Sequence, residues 1–109
     1  MTIRLHALKG LGKMKYKKAA AGIAKLLKDD SGGIRVNALY ALMEIDDRSI
    51  APQIRKSLSD PQWYVRQNAC IACGVFKVTK AEVKLRQLEK SDPRKAVRAA
   101  ATQALANIL

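Results

Sequence analysis

Two cysteines three residues apart, Cys70 and Cys73, lie in the stretch WYVRQNACIACG at 63–74 and are the only thiols of the chain. A C-x-x-C pair can act as a redox dithiol or supply half of a structural metal site. A reactive dithiol normally stands at a helix N-terminus, where the dipole lowers the thiol pKa. Cys70 and Cys73 instead fall five and eight residues after Val65, inside a helical pattern. Structural zinc takes about four ligands, and His6 is the one histidine that could join the pair. Both cysteines therefore read as small core hydrophobes, and neither a metal nor a cofactor is expected.

Other reactive arrangements are equally sparse. His6 aligns with no carboxylate or serine that would make it half of a catalytic pair. There is no Gly-rich phosphate loop and no carboxylate pair in a pocket-like arrangement. Asp29-Asp30 and Asp46-Asp47 stand at helix starts, where capping explains them. The expectation is a chain without enzymatic activity of its own. The remaining charged pattern is a column of arginines, Arg4, Arg35, Arg66 and Arg98, at steps of 31, 31 and 32. Such a column could bind phosphates. Yet Asp29, Asp60 and Asp92 each precede an arginine of the column by six residues, and this matched spacing favours guanidinium–carboxylate pairs that hold successive turns in register.

The elements that position these residues form a repeat. Aligned on the arginine, IRLHALKGL, IRVNALYAL, VRQNACIAC and VRAAATQAL share a β-branched residue, the Arg, an Ala (Ala7, Ala38, Ala69, Ala101) and a small residue (Gly10, Ala41, Ala72, Ala104). The period within a unit is helical: Ile34, Ala38, Ala41, Leu42 and Ile45 fall on one stripe. A second helix precedes each, with Ile23, Leu26 and Leu27 matched by Ile54 and Leu58 and by Leu85 and Leu88. Asp60-Pro61 and Asp92-Pro93 read as an N-cap followed by proline in the first turn, and Thr79–Glu82 as a capping box. Gly32-Gly33 and Asp46-Asp47 mark breaks. The spacing predicts seven helices, near 2–11, 16–28, 33–45, 48–59, 62–76, 80–90 and 94–108, with no strand.

The signature D-P-x-x-x-V-R-x-x-A-x-x-A-L, seen in full from Asp92-Pro93 through Val97-Arg98 to Ala101, Ala104 and Leu105, resembles the HEAT-like repeat family, in particular the short repeats of phycobilisome lyase subunits. The resemblance implies an all-α, right-handed α-solenoid of about three and a half helical hairpins, with the Val-Arg helices lining a concave face and an Asp–Arg ladder joining the turns. It spans nearly the whole chain, 1–109, as one domain. It implies little about function, because such repeats occur in scaffolds, lyase subunits and DNA-binding enzymes.

Two surfaces are candidates for function. On the Val-Arg helices the outward row Val36, Asn37, Tyr40, Gln67, Asn68, Ile71 and Gln103 is neutral, a mixture of amides and apolar groups suited to a protein or peptide groove. On the other helices a ridge gathers Lys17, Lys18, Lys25, Lys28, Arg48, Arg55, Lys56, Lys80, Lys84, Arg86 and Lys90, against Glu82 and Glu89 alone. The leading expectation is a protein-interaction scaffold acting through the neutral groove. The alternative is nucleic-acid binding along the ridge through salt-dependent phosphate contacts, although Tyr16 is the only aromatic there. A further alternative, carried by the resemblance alone, is a phycobiliprotein lyase-like subunit.

The global composition sets outer bounds. With 109 residues, 49% hydrophobic and 5% aromatic, the core must be built from aliphatic residues and alanine. The net charge of +12 bears on acidic partners rather than on fold. No stretch is apolar enough for a membrane span and no signal peptide is readable, so a cytoplasmic location is expected. The last helix closes on AAATQALANIL, uncharged after Arg98, and its apolar end predicts end-to-end self-association, a stacking partner or truncation from a longer array.

Overall fold

A computed structural model describes residues 19–109. The predicted helix at 2–11, residues 16–18 of the next one, and Arg4, His6, Lys17 and Lys18 lie outside the described residues. Within them the chain forms α1 (Ala20–Lys25), α2 (Gly32–Ile45), α3 (Ala51–Lys56), α4 (Trp63–Val75), α5 (Glu82–Ser91) and α6 (Lys95–Ile108). Short 3-10 turns extend the odd-numbered helices: Leu26–Lys28 after α1, Arg48–Ile50 and Ser57–Ser59 around α3, and Thr79–Ala81 before α5. No strand occurs among the described residues.

The long helices α2, α4 and α6 pack side by side in chain order as a front layer, and α1, α3 and α5 lie behind them as a back layer. This is the all-α repeat solenoid that the resemblance implies. The predicted stripe is the core: Ile34, Ala38, Ala41, Leu42 and Ile45 are buried, as are Ile54, Leu58, Val65, Leu85 and Val97. Alanine recurs where front helices approach closely. Gly74 goes further, for a Cβ built on it would stand 3.1 Å from Ala104 Cα, so its lack of a side chain sets the α4–α6 approach.

The helix ends differ from expectation in instructive ways. Gly32-Gly33 is not a break but the first turn of α2, capped by Ser31, whose hydroxyl accepts from Ile34 N. Asp60 and Asp92 are not N-caps. Gln62 and Arg94 hold that position, and the two aspartates accept instead from the N–H two residues on, Asp60 Oδ1 from Gln62 and Asp92 Oδ1 from Arg94, each at 2.9 Å. Thr79 forms no capping box either, because a 3-10 turn intervenes and α5 starts without a side-chain cap. At the other ends, Asp46 and Lys77 adopt the left-handed conformation at φ 57° and 50°. They stand 31 residues apart, so the repeat extends to the backbone dihedrals of its stops. After α4 the Val78 N–H reaches back to Cys73 O at 2.9 Å, the six-to-one bond of a Schellman stop.

Candidate functional site

The arginine column is resolved as a ladder. Arg35 donates Nε and Nη2 to the two carboxylate oxygens of Asp60 at 2.8 and 3.0 Å, and Arg66 does the same to Asp92 at 2.8 and 3.2 Å. The third donor, Nη1, turns back to the acid six residues earlier, but to its carbonyl: Arg35 to Asp29 O, Arg66 to Asp60 O and Arg98 to Asp92 O. One guanidinium thus ties its own repeat to the next. The pairs are largely dry, with side-chain exposures of 11% and 7% for Arg35 and Asp60, and 14% and 2% for Arg66 and Asp92. Burial pushes the Asp92 carboxyl up, but hydrogen bonds from Arg66 and the Arg94 N–H, with the charges of Arg66 and Arg98, outweigh it and hold the carboxyl below its usual range. The Asp60 hydrogen bond likewise raises the Arg35 guanidinium against desolvation. These side chains are committed to each other, so the described arginines hold turns together rather than presenting a phosphate stripe.

Cys70 and Cys73 are wholly buried in the core, in the columns of Leu39 and Leu42. Desolvation, with a smaller push from Cys73, raises the Cys70 thiol to about 12, and desolvation alone raises Cys73 to about 12. Neither is a thiolate near neutral pH.

The neutral row occupies the front layer. Tyr40 and Ile71, from one column of α2 and α4, are 43% and 42% exposed, and Val75 is 51% exposed. Gln103 continues the column on α6, exposed and bonded at 3.4 Å to Asn107. Gln67 is half-buried, and Val36 is half-buried against the core. The two asparagines behave differently from a free contact surface. Asn37 and Asn68 donate Nδ2 to the carbonyls four residues back, Gly33 O and Tyr64 O, each at 2.8 Å. Asn68 is only 8% exposed, which corrects its placement on the outward face. The Asn37 Oδ1 is buried and has no donor among the described residues.

Sequence reasoning missed an aromatic edge beside this row. Trp63 and Tyr64, at the start of α4, stand edge-to-face at 5.8 Å, and the Arg94 guanidinium lies 5.1 Å over the indole. The Tyr64 ring lies so close over Gly32 that a Cβ there would collide with its hydroxyl. The one available signal was the glycine at 32 in the column where the next repeat has its only tryptophan.

The described part of the basic ridge lies on the back layer, with Lys25, Lys28, Arg48, Lys56, Lys80, Arg86 and Lys90 exposed and Arg55 and Lys84 half-buried. Arg86 pairs with Glu82 at 3.0 Å in an exposed contact of the kind worth little. The apolar end expected of the last helix is narrower than the sequence suggests. Thr102 is exposed in the column of the buried Leu39 and Cys70, and its hydroxyl donates to Glu89 Oε2 at 2.7 Å. Leu109 remains 74% exposed beyond it. No described helix is long and apolar enough to cross a membrane.

Against known proteins, the family model for HEAT repeats matches residues 51–108 and that for the PBS lyase HEAT-like repeat matches 34–60. Among solved structures, the complex of CpcE and CpcF of phycocyanin lyase from Nostoc sp. PCC7120 matches with a TM-score of 0.80 at 23% identity. The match covers 99% of this chain and 48% of that one, so the chain spans about half the length of the lyase chain. At that identity the likeness is one of fold. No curated protein matches the chain. The repeat type at 34–60, with the shared lyase fold, overturns the expectation of a chain without enzymatic activity. That expectation rested on the lack of a nucleophile–base pair within one chain.

Proposed function

The chain belongs to the HEAT repeat family, and from that premise we propose that it works as a subunit of a phycobiliprotein-lyase-like assembly, seating its protein substrate on the neutral row of α2, α4 and α6. The observation that carries this reading is the exposure of Tyr40, Ile71 and Val75 on that layer of a chain with net charge +12. Large apolar groups gain by being covered, and a tyrosine adds a polar handle at the rim. In this role the solenoid binds and orients the protein that gains or loses a chromophore.

The test mixes the full chain with phycocyanin apoprotein and bilin, with and without a second lyase-type subunit, and reads bilin that stays attached after denaturation. The wild type should change that yield. The double variant Tyr40→Glu, Ile71→Glu, at two exposed positions, should lower both the yield and apoprotein binding at least about tenfold, roughly 1.4 kcal/mol. Equal activity and binding from the variant, or no attachment or removal by the wild type with any second subunit, defeats the proposal.

A further inference from the structure

Between α3 and α5 the back layer opens into a crevice of about 340 Å³ lined by Arg55, Lys56, Lys80 and Lys84, with Pro52 and the buried Leu58. None of its lining residues is acidic. Among the described residues, Arg55, Lys56 and Lys80 have no carboxylate partner, and Lys84 reaches only Gln87 Oε1, at 3.3 Å. Such crowding of like charge opposes the compact state unless an anion is present.

The fold does not demand these cations. One repeat earlier, 31 residues back, the same four positions hold Ala24, Lys25, Ser49 and Gln53, one base in place of four. A merely solubilising surface has no reason to distinguish two junctions of one solenoid. A nucleic-acid backbone would need its phosphate contacts repeated along the layer.

We propose that the α3–α5 junction binds a small ligand bearing a phosphoryl or pyrophosphoryl group. The Arg55 fork matches phosphate oxygens, and the lysines add mobile point charges around it. A crevice of about 340 Å³ equals the share of roughly ten water molecules, ample for a pyrophosphate group.

Calorimetric titration of the full chain with pyrophosphate, at constant ionic strength, should give saturable one-to-one binding. Lys80→Gln with Lys84→Gln should weaken it at least about tenfold, while Lys25→Gln with Lys90→Gln, which removes the same charge elsewhere on the layer, should change it less than about twofold. Arg55→Gln, checked for an unchanged melt, is a second variant with the same expected loss. Absence of binding overturns the proposal, and so does equal weakening by the two lysine pairs, which would mean net charge alone. Random duplex DNA that displaces pyrophosphate and loses as much affinity from the Lys25 and Lys90 change as from the crevice pair would overturn it in favour of a nucleic-acid ridge.

Discussion

Replacing Asp92 by asparagine removes one negative charge from a side chain that is 2% exposed while leaving its volume unchanged. Three donors lose a charged acceptor: Arg66 Nε, Arg66 Nη2 and the Arg94 N–H. Two unit charges about 4 Å apart attract by ~4 kcal/mol at an effective dielectric near 20, and breaking a buried pair typically costs about 3–5 kcal/mol. Arg66 keeps the Asp60 and Pro61 carbonyls and some solvent, so the loss should sit near the lower end, about 3 kcal/mol. For a chain of this size that lowers Tm by on the order of 10–20 °C. Arg98→Gln is the milder comparison, since it forfeits a hydrogen bond to the Asp92 carbonyl and the weakest of the charge contributions to that carboxylate, and should cost about 1 kcal/mol. The pH dependence has a definite sign. The folded carboxyl of Asp92 is held low, so its contribution is complete above the unfolded value of about 3.9 and disappears as pH falls through the folded value. Urea melts at pH 7 should therefore show the full gap between wild type and Asp92→Asn, and melts near pH 3 a smaller one. A gap below about 0.5 kcal/mol at pH 7, with an unchanged m-value, would refute the ladder as a source of stability.

Two other perturbations test the packing. Gly74→Ala should destabilise by about 1–3 kcal/mol, because the new methyl meets the Ala104 backbone at 3.1 Å; thermal melts read it directly, and an unchanged Tm would mean that α4 and α6 separate freely. Cys70 and Cys73 should resist a thiol reagent until the chain unfolds, with labelling rates that follow the denaturant curve. Because burial raises both folded thiols to about 12, stability should fall as pH rises above the unfolded value of about 8.5. Cys70→Val with Cys73→Val should flatten that alkaline slope.

The layering and the ladder were legible because both rest on recurrence of residue type at a fixed step: a β-branched residue, an Arg and an Ala recur wherever front helices must meet in the same way. Helix ends were less legible. Asp60 and Asp92 look like caps, yet their carboxylates are claimed by arginines a repeat earlier, a contact over 25 and 26 residues that local capping rules do not weigh. Asn68 was misplaced because a side chain that bends back to its own helix carbonyl leaves no trace in a residue column. The α3–α5 crevice was hidden inside a longer list of bases, since only packing decides which four of them share one space.

The ladder also bears on how such a chain can change length. Every described rung runs one way, from an arginine to the acid of the following repeat. A unit such as residues 35–65 therefore carries one ladder guanidinium, Arg35, and one ladder carboxylate, Asp60. An in-frame duplicate would accept from the copy before it and donate to the copy after, leaving no buried charge unmatched. Loss of a partial unit would instead strand an ion in the interior, at a cost of several kcal/mol. The step of 31 residues is thus a unit of tolerated gene duplication as well as of structure, and insertions that respect it should be the ones that survive selection.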